Sequence, residues 1–275
     1  MTTKTKGILA AKVTSYIVLI ILSFTALFPF YWMIISSLKG TPEIFGYALF
    51  PEHPTMDNYV SAITAKPLIR MMLNSAVISI GTAAIQLVVS VLFAYAFMRW
   101  NFKGKTFIYG ILSIAWLIPI QVIMVPNYIQ IVKMGLNDTL IAMILPNCCS
   151  IFTNMNMYQN FNSMPKALID AARLDGSSEL QILKNIVLPN MKSAISSLGI
   201  VLIITAWNDY LWPVLIARSD VSSPIQIGLK SFTGSDTNMW GAAMAAATIS
   251  TIPILIMYIF MSGKIINSFM KGGIK

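Results

Sequence analysis

The chain has few charged residues. Only 11% of its 275 residues are charged, against about 25% in a typical soluble domain, while 56% are hydrophobic. Its mean hydropathy is +0.72. This composition excludes an ordinary soluble globular protein and predicts a membrane protein.

Cysteine and histidine are also scarce. The two cysteines, Cys148 and Cys149, are adjacent, and the only histidine is His53. A metal site needs more ligands at suitable spacing, and a Cys–His or Ser–His–Asp set needs a histidine beside its nucleophile. We therefore expect no metal site and no enzymatic chemistry, and we interpret the cysteines as small apolar residues of a span.

The sequence lacks a phosphate-binding loop. Gly104, Lys105 and Thr106 resemble the end of such a loop, but the glycine that should stand five residues earlier is Arg99. No strand is predicted ahead of this stretch either. The chain itself is therefore expected neither to hydrolyse ATP nor to bind a cofactor.

Long uncharged stretches dominate the sequence. Each has 25 to 28 residues, more than the roughly 20 that cross a bilayer as a helix. We therefore predict an all-α, polytopic membrane protein with six transmembrane helices. Prolines at positions 29, 119, 126, 146, 213 and 253 are expected to kink or interrupt five of them. The stretches lie between residues 12 and 39, 70 and 99, 105 and 133, 138 and 166, and 236 and 264, with another between 192 and 218 that contains one charge, Asp209.

The spans divide the chain into segments. The first predicted helix is too long for a signal peptide and no small-residue cleavage site follows it, so we expect it to be retained. The core contains a long inner segment, residues 160–192. The predicted segments are an N-terminal stretch 1–13, the first transmembrane helix 14–38, an outer loop 39–70, a core 71–265 with five helices, and a tail 266–275.

Lysine and arginine predict the orientation. With six spans, both termini share one side of the membrane, and that side holds 13 of the 19 basic residues. Because basic residues concentrate in cytoplasmic loops, we expect both termini and the segment 160–192 in the cytoplasm. This bias accounts for the net charge of +9, so no nucleic-acid partner is expected.

The inner segment is predicted to form two short helices joined at a glycine. Ser163 is expected to cap a helix over residues 164–174, and Gly176 fits the left-handed position that ends a helix. Ser178 and Gln181 match a capping box that starts the second helix. Its apolar positions, which suit burial ahead of Pro189, are Leu180, Ile182, Leu183, Ile186 and Val187.

The first of these helices is predicted to dock against another surface. Leu168, Ala171, Ala172 and Asp175 share one face, and the two alanines allow close approach. An amphipathic loop lying on lipid headgroups is the alternative. It explains the amphipathicity but not two alanines followed by a sharp bend, whereas a docking element flanked by charges explains both.

The inner segment resembles the "EAA" loop of ABC importer permeases. The matching residues depart from that pattern at two positions, since Asp170 stands in place of the usual glutamate and Ser177 in place of the usual alanine. They are Asp170, Ala171, Ala172, Asp175, Gly176, Ile186, Leu188 and Pro189.

Further stretches resemble the carbohydrate-uptake branch of the type I (MetI-like) permeases, which includes the six-span permease of the maltose system. With the inner segment they extend the resemblance to essentially the whole chain. These stretches are Ala94, Tyr95 and Ala96 with Arg99; Pro119, Gln121 and Pro126; residues 207–213; and residues 272–275.

The resemblance implies a permease subunit that passes a sugar or oligosaccharide through the bacterial plasma membrane. It implies that the segment 160–192, the coupling loop, docks its first helix into a cytoplasmic ATPase. Asp170 and Asp175 would meet the ATPase beside Ala171 and Ala172, Gly176 would allow the bend, and Pro189 would lead into the next span.

The resemblance also implies partners. They are two copies of the ATPase, which would bind ATP and magnesium, a second permease subunit, and an extracytoplasmic solute-binding protein. The coupling loop is shared more widely than the substrate, so a permease for a glycerol-phosphate-like solute or an amino acid remains an alternative, as does a membrane scaffold without transport.

Polar residues within the spans are candidates for the substrate pathway. Asp209 is the one charge inside a span, and intramembrane charges are costly and commonly functional. Its aromatic and amide neighbours suit the apolar faces and hydroxyls of sugars. The alternative is that Asp209 lies at the outer end of its span, where water and the aromatic belt reach it. The candidates are Trp207, Asn208, Asp209 and Tyr210, with Asn147 and Asn154 in second rank.

Overall fold

The computed structural model describes residues 3–234 and 239–273. Every regular element in those two ranges is helical, which confirms the predicted all-α fold. Part of the predicted tail, including Ile274 and Lys275, lies outside the described residues. The chain divides into two units, residues 1–66 with 229–252 and residues 67–228 with 253–275.

The first unit contains the long apolar helix α1 (Thr3–Ser37), which begins well before the predicted residue 14, and the short helix α2 (Asp57–Ala65). Between them, Lys39 is fully buried. Its Nζ donates to the carbonyl oxygen of Ala48 at 2.7 Å and lies 4.4 Å from the centre of the Trp32 ring. These contacts satisfy the buried cation and hold the outer loop against the end of α1.

The second unit is built around one long helix, α3 (Leu68–Arg99), which packs along two later helices, α7 (Ile151–Asn162) and α11 (Lys192–Trp207). Small buried hydroxyl residues on α3, among them Ser79 and Ser90, allow these close approaches. The other helices are α4 (Lys105–Ala115), α5 (Ile120–Lys133), α6 (Leu140–Ile144), α8 (Lys166–Leu174), α9 (Glu179–Ile182), α10 (Leu188–Asn190) and α12 (Leu211–Ile216), while α13 (Ile225–Ser231) and α14 (Trp240–Gly273) run across the division between the units.

In the described part of the chain, three helical stretches are long and apolar enough to cross a membrane unbroken, and three more candidates consist of bent pairs. The pairs are bent by 93° between α4 and α5, by 51° before α7, and by 75° before α11. The count is therefore three spans, or up to six if each pair is one span, which fits the prediction of a polytopic protein. The unbroken stretches are Lys12–Ser37, Leu68–Arg99 and Trp240–Phe260.

Some of the prolines stand at helix breaks, and others lie inside continuous helices. Pro119 stands at the break before α5, and Pro146 lies in the 3-10 turn Leu145–Asn147 that ends just before another break. The chain continues as one helix through Pro29, Pro126 and Pro253, so these three prolines do not interrupt their helices, and a kink there stays a prediction. A proline removes one backbone hydrogen bond, and neighbouring groups in a membrane helix can compensate for that loss.

An outer turn before α6 is organised by one carboxylate. Asp138 adopts a left-handed backbone conformation, with φ of 60°. Its oxygens accept hydrogen bonds from the backbone amides of Arg218 at 2.7 Å and Ser219 at 3.2 Å, and from the hydroxyl of Ser222. The Ser222 hydroxyl is the largest cause that lowers the pKa of Asp138, from 3.8 to about 2. The turn and the segment after α12 are therefore fastened together by an ionised group.

We expect this fastening to weaken in acid. Because the folded pKa of Asp138 is lower than its unfolded value, its stabilising contribution is complete above pH 4 and is lost as the pH falls toward 2. Hydrogen exchange at the Arg218 and Ser219 amides, corrected for the intrinsic pH dependence, should accelerate over that interval. Asp138→Asn keeps a residue that tolerates the left-handed backbone, and it should show the faster exchange already at pH 7. Equal exchange in both proteins at pH 7 would contradict the role of the charge.

Candidate functional site

Three helix breaks meet at one cavity of about 590 Å³ in the second unit. The break between α4 and α5 contributes Trp116, the break before α7 contributes Cys149 and Ser150, and the break between α11 and α12 contributes Asp209. Helix breaks at membrane depth are tolerated where they line a cavity or are buried in protein. The breaks therefore indicate that this cavity is the candidate functional site of the second unit.

Helix α3 supplies the polar wall of the cavity. Gln86 donates from Nε2 to the carbonyl oxygen of Asn147 at 2.5 Å and accepts from the Thr153 hydroxyl at 3.1 Å. One helical turn away, Thr82 is only 4% exposed, and its hydroxyl has no hydrogen-bond partner. A buried polar atom without a partner costs free energy, so a hydrogen bond between this hydroxyl and a molecule bound in the cavity would be favourable.

Two aromatic rings form part of the apolar lining. Trp116 and Phe152 stack with their ring centres 5.7 Å apart and their planes 29° apart, and both line the cavity. Flat apolar surfaces beside hydrogen-bonding groups are the common make-up of a small-molecule site. The cavity can therefore receive a molecule that has both an apolar face and hydroxyl groups.

Two of the six predicted pathway residues line the cavity. Asp209 and Asn147 do so, whereas Trp207 is buried in the core and Asn154 is buried with its Nδ2 donating to the sulfur of Cys149 at 3.5 Å. The remaining two, Asn208 and Tyr210, flank the break but do not line the cavity, and Asn208 accepts from the Gln226 amide at 3.3 Å.

Asp209 also lies beside the backbone at the start of α12. Its carboxylate lies beside the backbone amides of Trp212 and Leu211 in the first turn of α12. The residue therefore has a structural role in addition to its place in the cavity wall.

Sequence reasoning missed several residues of the lining. Thr82, Gln86, Trp116 and Phe152 lie in spans that the sequence identified only by their apolar character. Gln86 carries a weak signal, because a buried amide needs partners. Trp116 and Phe152 carry none, since aromatic residues are common throughout membrane helices.

The coupling loop folds as a helix, a glycine turn and a second helix. Gly176 is left-handed, with φ of 80°. Its amide donates to the Arg173 carbonyl at 2.9 Å and the Ser177 amide donates to the Ala172 carbonyl at 3.0 Å, the two bonds of a Schellman motif. The predicted capping box is present in both directions between Ser178 and Gln181.

Three details of the loop differ from the predictions. Ser163 ends α7 instead of capping α8, which Pro165 precedes in an extended conformation. Ala172 is only 7% exposed because it faces the core, so it does not share the outer face with Ala171. Leu180 is 73% exposed instead of buried. Which side of a short helix is buried depends on the elements that pack against it. The helical repeat of the sequence does not reveal those elements.

The outer face of the loop is therefore narrower and more apolar than predicted. Leu174 is 90% exposed, and Asp170, Ala171 and Asp175 are exposed around it. Pro189 is exposed in α10, just before the bend that leads into α11. An exposed leucine flanked by two carboxylates fits a docking surface, because exposed apolar surface rimmed by polar residues marks interaction sites.

Comparisons with known proteins identify the type of protein. Residues 86–267 match the family described as binding-protein-dependent transport system inner membrane component. The chain is 30% identical, over 92% of its length and 93% of the relative's, to the arabinooligosaccharides transport system permease protein AraQ of Halalkalibacterium halodurans. It is 29% identical to the lactose transport system permease protein LacG of Rhizobium radiobacter, over 96% of each chain.

A more distant relative and a solved structure are also similar to this chain. The sn-glycerol-3-phosphate transport system permease protein UgpE of Brucella abortus is 26% identical over 95% of each chain. A chain of a bacterial ABC transporter that imports the acidic polysaccharide alginate has the same fold, with a TM-score of 0.80 and 21% identity over 96% of this chain and 98% of that one.

Proposed function

Because the chain belongs to the binding-protein-dependent transport system inner membrane components, we propose that its cavity passes a neutral sugar or oligosaccharide as part of an ATP-driven importer. The family makes it a multi-pass permease subunit of an ABC importer and a transport component rather than an enzyme. The membership confirms the predicted resemblance to the permeases of ABC importers.

The observation that carries the sugar assignment is the make-up of the cavity. The stacked rings of Trp116 and Phe152 offer an apolar platform, while Thr82, Asn147 and Asp209 offer groups for hydroxyls. A sugar ring combines an apolar face with a rim of hydroxyls and so matches both. The names of AraQ and LacG, which refer to arabinooligosaccharides and lactose, support the same class.

An anionic solute fits this chain's share of the lining less well. Among the described residues, the lining contains the carboxylate of Asp209 but no lysine or arginine. A phosphate or carboxylate substrate would meet a like charge there and would lack the cationic partner that usually binds it. The name of UgpE nevertheless keeps glycerol phosphate as the alternative to be tested.

The proposal includes the remaining subunits. The exposed face of α8 in the coupling loop docks on one of two ATPase subunits, which bind the ATP and magnesium, and a second permease and an extracytoplasmic solute-binding protein complete the importer. This arrangement places both termini of the chain in the cytoplasm of a bacterium. Closure of the ATPases moves α8 together with the helices attached to it. This movement switches the opening of the cavity from one side of the membrane to the other.

The test is purification of the assembled complex from its native membrane. Binding of arabinotriose, lactose, maltotriose, sn-glycerol 3-phosphate and leucine is measured on the co-purified solute-binding protein, followed by ATP-driven uptake of the same compounds into proteoliposomes. We expect binding and uptake of at least one neutral saccharide. Uptake of glycerol phosphate or leucine alone would contradict the sugar assignment, and a chain that purifies without an ATPase would contradict the importer.

We expect Asp209→Asn to weaken uptake without preventing assembly. Asparagine keeps the size of the side chain and an acceptor oxygen beside the amides of Leu211 and Trp212, but it removes the charge from the cavity wall. Since a hydrogen bond to a charged group contributes about 1.5 kcal/mol or more, the KM for the transported saccharide should rise by about tenfold. Asp220→Asn, at an exposed acid outside the cavity lining, is the matched control. Unchanged uptake kinetics in Asp209→Asn would reject it as a pathway residue.

A further inference from the structure

A cluster of four side chains joins the coupling loop to the inner end of α3. Tyr95 and Arg99 come from the last two turns of α3, Arg173 from α8, and Glu179 from the first position of α9. We call these four residues the Glu179 junction. The resemblance of the loop to the EAA pattern does not include Glu179.

The Glu179 carboxylate is the centre of the junction. Its Oε1 accepts from Arg99 Nε at 2.6 Å and its Oε2 accepts from the Tyr95 hydroxyl at 2.5 Å. Oε1 also lies 3.4 Å from Arg173 Nε, which is an ion-pair distance, although this nitrogen is not aligned for a hydrogen bond and has no hydrogen-bond partner. One carboxylate thus engages α3 through both oxygens and α8 through its charge.

The local fold of the loop determines where Glu179 lies. The glycine turn at Gly176 ends α8, and the capping box between Ser178 and Gln181 starts α9, so that Glu179 follows the cap directly. An acid in the first turn of a helix is favoured by the helix dipole. From Arg173 the charges continue to Asp170, whose Oδ1 accepts from Arg173 Nη1 at 3.2 Å. Asp170 is exposed on the face that we assign to the ATPase.

Apolar packing alone does not explain the junction. Ile169, Ala172 and Ile182 of the loop belong to one buried cluster with Ala94 and Tyr95 of α3. Hydrophobic contact of this kind is non-directional, so it holds the loop on α3 but does not fix its angle. The charged hydrogen bonds are directional and geometrically specific. Because the ion-paired side chains are partly exposed, with 26% of Arg99 and 39% of Glu179 accessible, the pair contributes only modestly to stability.

We propose that Glu179 is the positioning residue through which the coupling loop and α3 move as one body. Displacement of α8 by the ATPase then reaches the cavity, since α3 carries Thr82 and Gln86 in its wall. The proposal rests on the proposed coupling to an ATPase. It assigns to Glu179 the transmission of movement within this chain, which is distinct from docking on the partner.

Cys149 is a native reporter for the test, because it is exposed and lines the cavity. The complete transporter, carrying Cys148→Ser, is reconstituted in proteoliposomes. The rate at which a small methanethiosulfonate reagent modifies Cys149 is measured by mass spectrometry, with and without ATP plus vanadate. We expect the nucleotide to change this rate at least about fivefold in the native junction, which is the lower end of ordinary allosteric coupling. This readout requires no knowledge of the transported solute.

In Glu179→Gln the nucleotide effect should fall below about twofold while ATP hydrolysis continues, because the amide has one acceptor for the two donors of α3. Tyr95→Phe removes a single hydroxyl, should give an intermediate effect, and decides the question if Glu179→Gln fails to accumulate. Lys184→Gln, at an exposed charge of the same loop, should keep the full effect.

Full nucleotide dependence in Glu179→Gln and Tyr95→Phe would overturn the junction. Absence of any nucleotide dependence in the native protein would overturn the coupling itself, and with it both proposals.

Discussion

Replacement of Ala172 by arginine is expected to reduce the amount of folded protein at least about tenfold, because an unpaired charge in an apolar core costs several kcal/mol. Ala172 packs in the buried cluster with Ile169, Ile182 and Val187 of the same loop. The measurement is the yield of monodisperse protein extracted from membranes, followed by size-exclusion chromatography.

Ala171→Arg is the matched control, since the two alanines are adjacent on α8 but only Ala172 is buried. Ala171 is exposed, so Ala171→Arg should accumulate normally. Its long side chain should instead obstruct docking, and less ATPase should co-purify with it. If both variants accumulated equally, the assignment of Ala172 to the core would be wrong. If Ala171→Arg retained its ATPase, α8 would not dock through this face.

The difference between the two alanines shows where the sequence stops being informative. A helical repeat places Leu168, Ala171, Ala172 and Asp175 on one side of α8, but it does not say how much of that side is covered. Ile169 and Ala172 belong to the buried cluster, and their burial depends on α3, which is distant in sequence, as well as on the preceding helix α7. Alanine is compatible with either environment, so neither position carried a signal.

Features set by neighbouring residues were predicted more accurately. The left-handed turn at Gly176 and the capping box between Ser178 and Gln181 are both present. Each depends on hydrogen bonds within a few residues, so the residue types alone predict it. The exception is Ser163, which lies at the end of α7 in a right-handed helical conformation instead of capping α8.

The cavity could be predicted only in part. Asp209 stands out in the sequence because it is the one charge within a span, and the structure places it in the cavity wall. Asn147 and Asn154 looked equivalent, yet the break at residues 148–150 separates them, so that Asn147 lines the cavity and Asn154 does not. The stacking of Trp116 on Phe152 depends on the convergence of two broken helices. Long-range convergence of this kind leaves no local pattern.

Gly176→Pro is expected to reduce ATP-driven uptake at least about tenfold while leaving the protein in the membrane with an active ATPase. The native turn needs a φ of 80° at this position and a hydrogen bond from its amide. Proline fixes φ near about −65° and has no amide hydrogen, so it removes the turn at a cost of about 3 kcal/mol or more. The orientation of α8 would then change. The helix would no longer meet the ATPase at the native angle, and Arg173 would no longer reach Glu179. The measurement is uptake of the transported saccharide per ATP hydrolysed in proteoliposomes.

A graded series separates the backbone effect from the effect of a larger side chain. No atom lies within 4 Å of the position that a Cβ would take at Gly176, so there is room for a side chain. Gly176→Asn tolerates the left-handed backbone and keeps the amide, so uptake should stay within about twofold of the native value. Gly176→Ala carries a penalty of about 1 to 2 kcal/mol in that conformation and should fall between the two. The expected order of coupled uptake is therefore glycine, asparagine, alanine and proline. If the proline variant matched the asparagine variant, the turn would have no part in coupling, and α8 would have to transmit movement by the apolar cluster alone.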